Sequence, residues 1–138
     1  MLGTNDILEM HWEGEQKFAK DYKDMVQRFM KLPSKPKIYL MIPPPLYKES
    51  YDNKPLKLEV NDEVLPRVIP EIAKDLGLKK RHVINLYELL GGKDRSEYEL
   101  FCDDQSCDHV HPNHSGNSVI ASAVFGALFG PIMNVRST

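Results

Sequence analysis

This chain of 138 residues has little net charge, few cysteines and no long apolar run, and each shortage removes a class of function. The net charge is -2 and the basic residues are scattered, so no basic face of the kind a nucleic-acid binder needs is present. The expected partners are small molecules or proteins. The longest apolar stretch, "SVIASAVFGALFG" from Ser118 to Gly130, falls short of the roughly 18 residues of a bilayer span and stops at Gly130-Pro131, so no membrane span is expected. The only cysteines are Cys102 and Cys107, which suit either a loop disulfide or two free thiols. No signal-peptide pattern opens the residues given, and the compartment is left open. C-x-x-C and H-E-x-x-H spacings are absent, so neither metal nor cofactor is expected. Repeats and low-complexity tracts are absent too. Apolar and charged residues occur in ordinary globular proportion, and the length is that of one domain.

Helical spacing is clearest in residues 15–31, where Phe18, Tyr22, Met25, Val26, Phe29 and Met30 form one stripe. "KIYLMI" at 37–42 and "HVINLY" at 82–87 read as strands buried on both faces, the first ended by Pro43 to Pro45. Between them Asn61 offers a helix cap, and Val64, Leu65, Val68, Ile69, Ile72, Ala73 and Leu76 supply an apolar stripe. Pro66 suits the first turn of that helix, Pro70 should kink it or delay its regular start, and Gly77 ends it. Ser118–Gly130 reads as a buried packing helix, capped by Asn113 or Ser115. With Met1-Leu2 as the tail of a further strand, the order alternates strand and helix. That order implies a parallel sheet covered by helices, with chemistry gathered at the carboxyl ends of the strands.

Two segments on that rim carry chemistry. In "FCDDQSCDHVHPNHSGN", Asp108 and His111 stand as D-x-x-H. On a bent loop the carboxylate accepts the imidazole Nδ1 proton and leaves Nε2 as a general base. In "GTND", Gly3 and Asn5 follow the expected strand end, where an amide side chain can donate to a developing oxyanion.

Together these segments resemble the SGNH, or GDSL-type, esterase and lipase superfamily, whose third block is G-x-N-D and whose fifth is D-x-x-H, commonly continued as H-P-N-x-x-G. They stand in order as Gly3-Thr4-Asn5-Asp6 and Asp108-His109-Val110-His111-Pro112-Asn113, with Gly116 following. The resemblance spans nearly the whole chain. It implies an α/β, flavodoxin-like, doubly wound parallel sheet with helices on both faces, N-terminally truncated, in a single partial domain over 1–138. It implies Asn5 as the side-chain donor of an oxyanion hole, His111 as general base and Asp108 as its orienting acid, with Asp6 bracing the loop. Gly3, Asp6 and Trp12 are the expected substrate-binding positions. Trp12 and His11, with Tyr47 and Tyr51, either wall an acyl or sugar pocket or only cover the end of the sheet. His109 departs from the family pattern, where relatives often carry a small residue.

The larger departure is the family's G-D-S serine block and the glycine block after it, which have no counterpart here. The expected function is therefore an acyl-serine carboxylesterase when complete, acting on small acyl esters such as acetylated carbohydrates. This chain is expected to be its C-terminal fragment, with an open sheet edge paired by an oligomer or by the missing N-terminal segment. The alternatives are a non-catalytic binding or scaffold protein, and a zinc site built from Cys102, Cys107, His109, His111, His114 and the neighbouring aspartates.

Overall fold

A computed structural model describes residues 1–102 and 107–130. Helix α1 (Glu15–Met30) buries Phe18, Tyr22 and Val26, one turn apart each time, as the periodicity requires. Phe29 and Met30, part of the expected stripe, are instead exposed. Strands β1 (Leu40–Ile42) and β4 (Val83–Asn85) pair in parallel, with Leu40 opposite Val83 and Ile42 opposite Asn85. Because side chains alternate along a strand, Leu40 and Ile42 enter one core with Tyr22, Val26, Val68 and Ile72. Tyr39, Met41 and Ile84 enter a second with Leu86, Leu90 and Phe101. The sheet is thus covered on both faces, and the α/β reading holds for its mixed elements and parallel pair.

Several boundaries differ from expectation for identifiable reasons. The first strand shrinks from 37–42 to Leu40–Ile42. The second shrinks because the Asn85 side chain accepts the Glu88 N–H at 3.2 Å and opens the short helix α3 (Leu86–Leu89). Met1 and Leu2 form no strand, so the sheet has two parallel strands among the described residues. The polar connection between β1 and the second long helix contains an unforeseen hairpin, β2 (Ser50–Tyr51) with β3 (Lys54–Pro55). Its turn residues Asp52 and Asn53 have φ of 52° and 58°, the paired left-handed conformation of a tight hairpin turn.

Asn61 does not cap a helix. It lies fully buried inside a wide π-turn, Val60–Val64, whose end is marked by the Leu65 N–H on the Val60 carbonyl. Helix α2 (Leu65–Asp75) starts regularly only after it, with Pro66 in its first turn and Pro70 inside. Each proline lacks the N–H that an α-helix sends four residues back, which accounts for the delayed start. The Arg67 guanidinium bonds both Glu15 carboxylate oxygens, at 2.9 and 2.7 Å, and ties α2 to α1.

The final helix, α4 (His114–Phe129), is longer than expected and only partly buried. Val119, Ile120, Ala123, Val124 and Ala127 pack on the second core, while Phe125, Leu128 and Phe129 are exposed. A helix apolar nearly all round cannot bury its whole circumference against a single layer, and α4 meets only one among the described residues.

Candidate functional site

The segment between Cys107 and α4 is folded around one carboxylate. Asp108 Oδ1 accepts the main-chain N–H groups of Val110 and His111, at 2.9 and 2.8 Å, and Oδ2 meets His111 Nδ1 at 2.6 Å. Burial pushes the Asp108 carboxyl up, but the His111 main-chain and side-chain N–H groups and the Val110 N–H outweigh it and hold it down at about 2. A carboxylate accepting at Nδ1 puts the ring hydrogen there and leaves the lone pair on Nε2, which has no partner among the described residues. The arrangement supplies an oriented base.

The end of the loop is fixed by α4. Asn113 accepts the Gly116 N–H at 3.0 Å as the helix cap, its amide donates to the Glu99 carbonyl, and its own N–H reaches the Leu100 carbonyl at 2.9 Å. Gly116 makes that approach feasible, because a Cβ there would stand 2.4 Å from the Leu100 oxygen. Its partner in the loop, His109, takes a different course from His111. The His109 Nδ1 bonds Tyr98 Oη at 3.0 Å and its ring stacks on Tyr98. His111 is thus the imidazole paired with a carboxylate.

At the opposite end of the sequence, residues 3–7 form a turn in which the Asp6 and Ile7 N–H groups bond the Gly3 carbonyl at 3.0 and 3.2 Å. Gly3 has φ of 120°, a backbone conformation that favours glycine, and a Cβ on it would stand 2.9 Å from Leu65 Cδ1. The Asn5 carbonyl accepts from His11 Nδ1 at 3.1 Å, while its side-chain amide makes no hydrogen bond among the described residues.

These two loops meet. Gly3, Thr4, Asn5 and Asp6 from one, and Val110, His111 and Pro112 from the other, line a cavity of about 250 Å³. Met1, Leu2, Pro44 and Leu46 complete its wall. Trp12 is not part of that wall. It lies in an adjoining cavity with His11 and Phe18, sharing Leu2 and Asp6 with the first, and its ring packs 5.8 Å from Phe18. Of the two tyrosines, Tyr51 sets its ring edge-on to His111 at 5.5 Å. Tyr47 is structural, donating to the Leu90 carbonyl and accepting the Glu97 N–H.

Residues that sequence reading missed hold the wall in place. The buried Asn61 accepts the Leu46 N–H and donates to the Pro44 carbonyl, each at 3.2 Å. Arg95 Nε donates to the Leu46 carbonyl at 2.7 Å while its guanidinium grips Asp62 at 2.9 Å. The adjacent Tyr47 N–H reaches the His109 carbonyl and links this wall to the Asp108 loop. The one available signal was Asn61 just ahead of the apolar stripe that starts at Val64, and it reads as a helix cap.

Cys102 and Cys107 form a disulfide with Cα atoms 5.2 Å apart. Their neighbours Asp103 and Asp104, candidates in the zinc alternative, lie outside the described residues. Among the described residues no helix is long and apolar enough to cross a membrane. A model of the GDSL-like Lipase/Acylhydrolase family matches residues 1–119. Neither the curated proteins nor the solved structures contain a match to this chain.

Proposed function

This chain belongs to the GDSL-like Lipase/Acylhydrolase family, and from that premise we propose that it supplies the base and oxyanion donor of a carboxylic ester hydrolase acting through an acyl-serine. The observation that carries this reading is the common cavity of Asn5 and His111, residues 106 positions apart in sequence. In the proposed reaction His111 Nε2 takes the proton of a serine hydroxyl as the serine oxygen bonds to the ester carbonyl carbon. The Asn5 amide donates to the oxyanion formed, and Asp108 steadies the imidazolium without taking its proton. Collapse breaks the bond to the alcohol, which leaves with the proton from His111. Water then repeats the sequence on the acyl-serine and releases the acid.

No serine lines the cavity among the described residues, and the hydroxyl of Thr4 on its wall is closed off from solvent. The attacking serine in this account comes from a segment outside the 138 residues. That segment docks along the side of β1 away from β4, where Leu2, Tyr22, Met25, Phe29, Lys37 and Leu40 line a groove of mixed polarity. A strand added there extends the parallel pair toward a doubly wound, flavodoxin-like sheet. Loss of a triad nucleophile costs on the order of a millionfold in rate, so the chain alone is expected to be inactive. A cavity of about 250 Å³ suits a short acyl group, including acetyl on a carbohydrate, because drug-sized ligands occupy roughly 300–1,000 Å³. Gly3 and Asp6 shape its floor, and Trp12 lines the neighbouring hollow, where the alcohol portion of a substrate would lie.

The lack of a serine on the wall also favours a second reading, a binding or scaffold protein that keeps the fold without the chemistry. Turnover of a short-chain aryl ester separates the two. In protein isolated with the serine-bearing segment, Asn5→Ala is expected to lower kcat by about 10²–10³-fold. Full activity in His111→Ala would remove the esterase reading, and a soluble oligomer inactive in every preparation would favour the scaffold.

A further inference from the structure

The hollow beside the His111 cavity has a chemistry of its own. It encloses about 210 Å³, shares Leu2 and Asp6 with that cavity, and is tied to it where His11 Nδ1 bonds the Asn5 carbonyl at 3.1 Å. Three aromatic rings line it. Trp12 packs 5.8 Å from Phe18, and Phe18 meets Tyr22 edge to face at 5.6 Å. The charged residues on its wall are Asp6, Glu13 and Asp21, set against Lys17 as the one cationic side chain among them. Lys17 forms its salt bridge with Asp21 and feels Glu13 only through its field. Asp6 and Glu13 form no salt bridge among the described residues. Burial pushes the Tyr22 hydroxyl up to about 12 and the Asp6 charge adds to the rise, so the field of that carboxylate reaches the ring.

We propose that this hollow binds an alkylammonium group, carried on the alcohol half of the substrate. Two independent features favour a cation over a neutral or anionic group. Aromatic rings present a negative face, on which ammonium groups are held. Three carboxylates against one ammonium also leave two negative charges in excess, and a partly enclosed wall concentrates their field. A neutral alcohol would gain from the rings but leave the charge of Asp6 and Glu13 unused. An anionic one would be repelled. The sequence concealed the site because its parts come from different elements: Asp6 from the turn at 3–7, Trp12 and Glu13 from the segment before α1, and Phe18, Asp21 and Tyr22 from α1 itself. The cation site stands on its own geometry, while its use in turnover rests on the ester-hydrolase reading.

Trp12 is the one tryptophan of the chain, so its emission reports the hollow without any need for turnover. The 138-residue chain is titrated with choline and with glucosamine, which carry the ammonium on an amino alcohol and on a sugar. Their neutral counterparts, 3,3-dimethylbutanol and glucose, are titrated beside them. At least one cation is expected to bind about tenfold tighter than its counterpart, and the tighter of the two names the alcohol class. Glu13→Gln and Asp6→Asn should each weaken that binding roughly threefold and leave the neutral ligands unchanged. Raised salt should weaken it as well. Saturation transfer to the ligand protons in NMR gives a second reading that does not depend on Trp12 emission. In serine-complemented protein, kcat/KM for the acetate ester of the tighter cation should exceed that for the acetate ester of its neutral counterpart by a similar factor.

Equal affinity for cations and neutral counterparts, cation binding unchanged in both carboxylate variants, or equal kcat/KM for the two esters would each overturn the proposal. Cation binding as expected, in a complemented protein that turns over no ester, would support the site and count against the hydrolase reading alone.

Discussion

Asp108 commits both carboxylate oxygens, one to two main-chain N–H groups and the other to His111 Nδ1. Asp108→Asn keeps the size but offers an N–H where the imidazole needs an acceptor, so it favours the wrong tautomer. In serine-complemented protein kcat is expected to fall by about 10⁴-fold, far more than the modest loss of thermal stability from the lost charge. A comparable loss of Tm would instead mean that the residue only folds the loop. Asn61 presents the opposite case, a fully buried amide that touches no substrate and holds both Pro44 and Leu46 at the cavity wall. Asn61→Ala leaves the Leu46 N–H and Pro44 carbonyl without their partner, at a cost of about 1–3 kcal/mol for each buried group left unsatisfied. Urea denaturation should show that loss as a lower midpoint at unchanged slope. The D-x-x-H pair was legible because its geometry is local, three residues on one bend. Asn61 was not, because its partners lie 15 and 17 residues away.

Among the elements, α4 does the most to place the site, since its cap residue Asn113 is also the last residue of the Asp108 loop. Asn113→Ala removes the cap and the contact to Glu99 together, and a cap alone is worth about 1 kcal/mol. A fall in Tm of roughly 3 °C or more is expected by calorimetry, whereas an unchanged Tm would show that the cap carries no weight. Helix α1 was readable almost to the residue because its apolar period is strong and its burial one-sided. The capping role of Asn113 was readable for the same local reason. The β2–β3 hairpin was not, as two-residue strands carry no periodicity. Tyr51 sets its ring against His111 from this hairpin, and the segment after it bridges Leu8 through Leu56. The extent of α4 burial was equally hidden. Composition marks a helix as apolar but does not say how many layers will cover it, and Phe125, Leu128 and Phe129 are left in solvent.

At the scale of the whole molecule, two parallel strands covered on both faces form a small sheet for the helices they carry. The side of β1 that pairs with no strand among the described residues, and the groove beside it, are where the proposed serine-bearing segment docks. Hydrogen exchange of the β1 amides that point away from β4 should therefore be fast in the chain alone and slow in the complemented protein, while equal rates would place that segment elsewhere. The family assignment rests on a match across residues 1–119, and in the proposed function the cavity that Asn5 and His111 both line is the chemical centre. The most direct test of that centre is fluorophosphonate labelling of the complemented protein, read by mass spectrometry of its peptides. The account predicts one phosphonylated serine, outside residues 1–138, whose labelling is lost in His111→Ala. A label that persists undiminished in His111→Ala, or that falls on a serine within this chain, would contradict it.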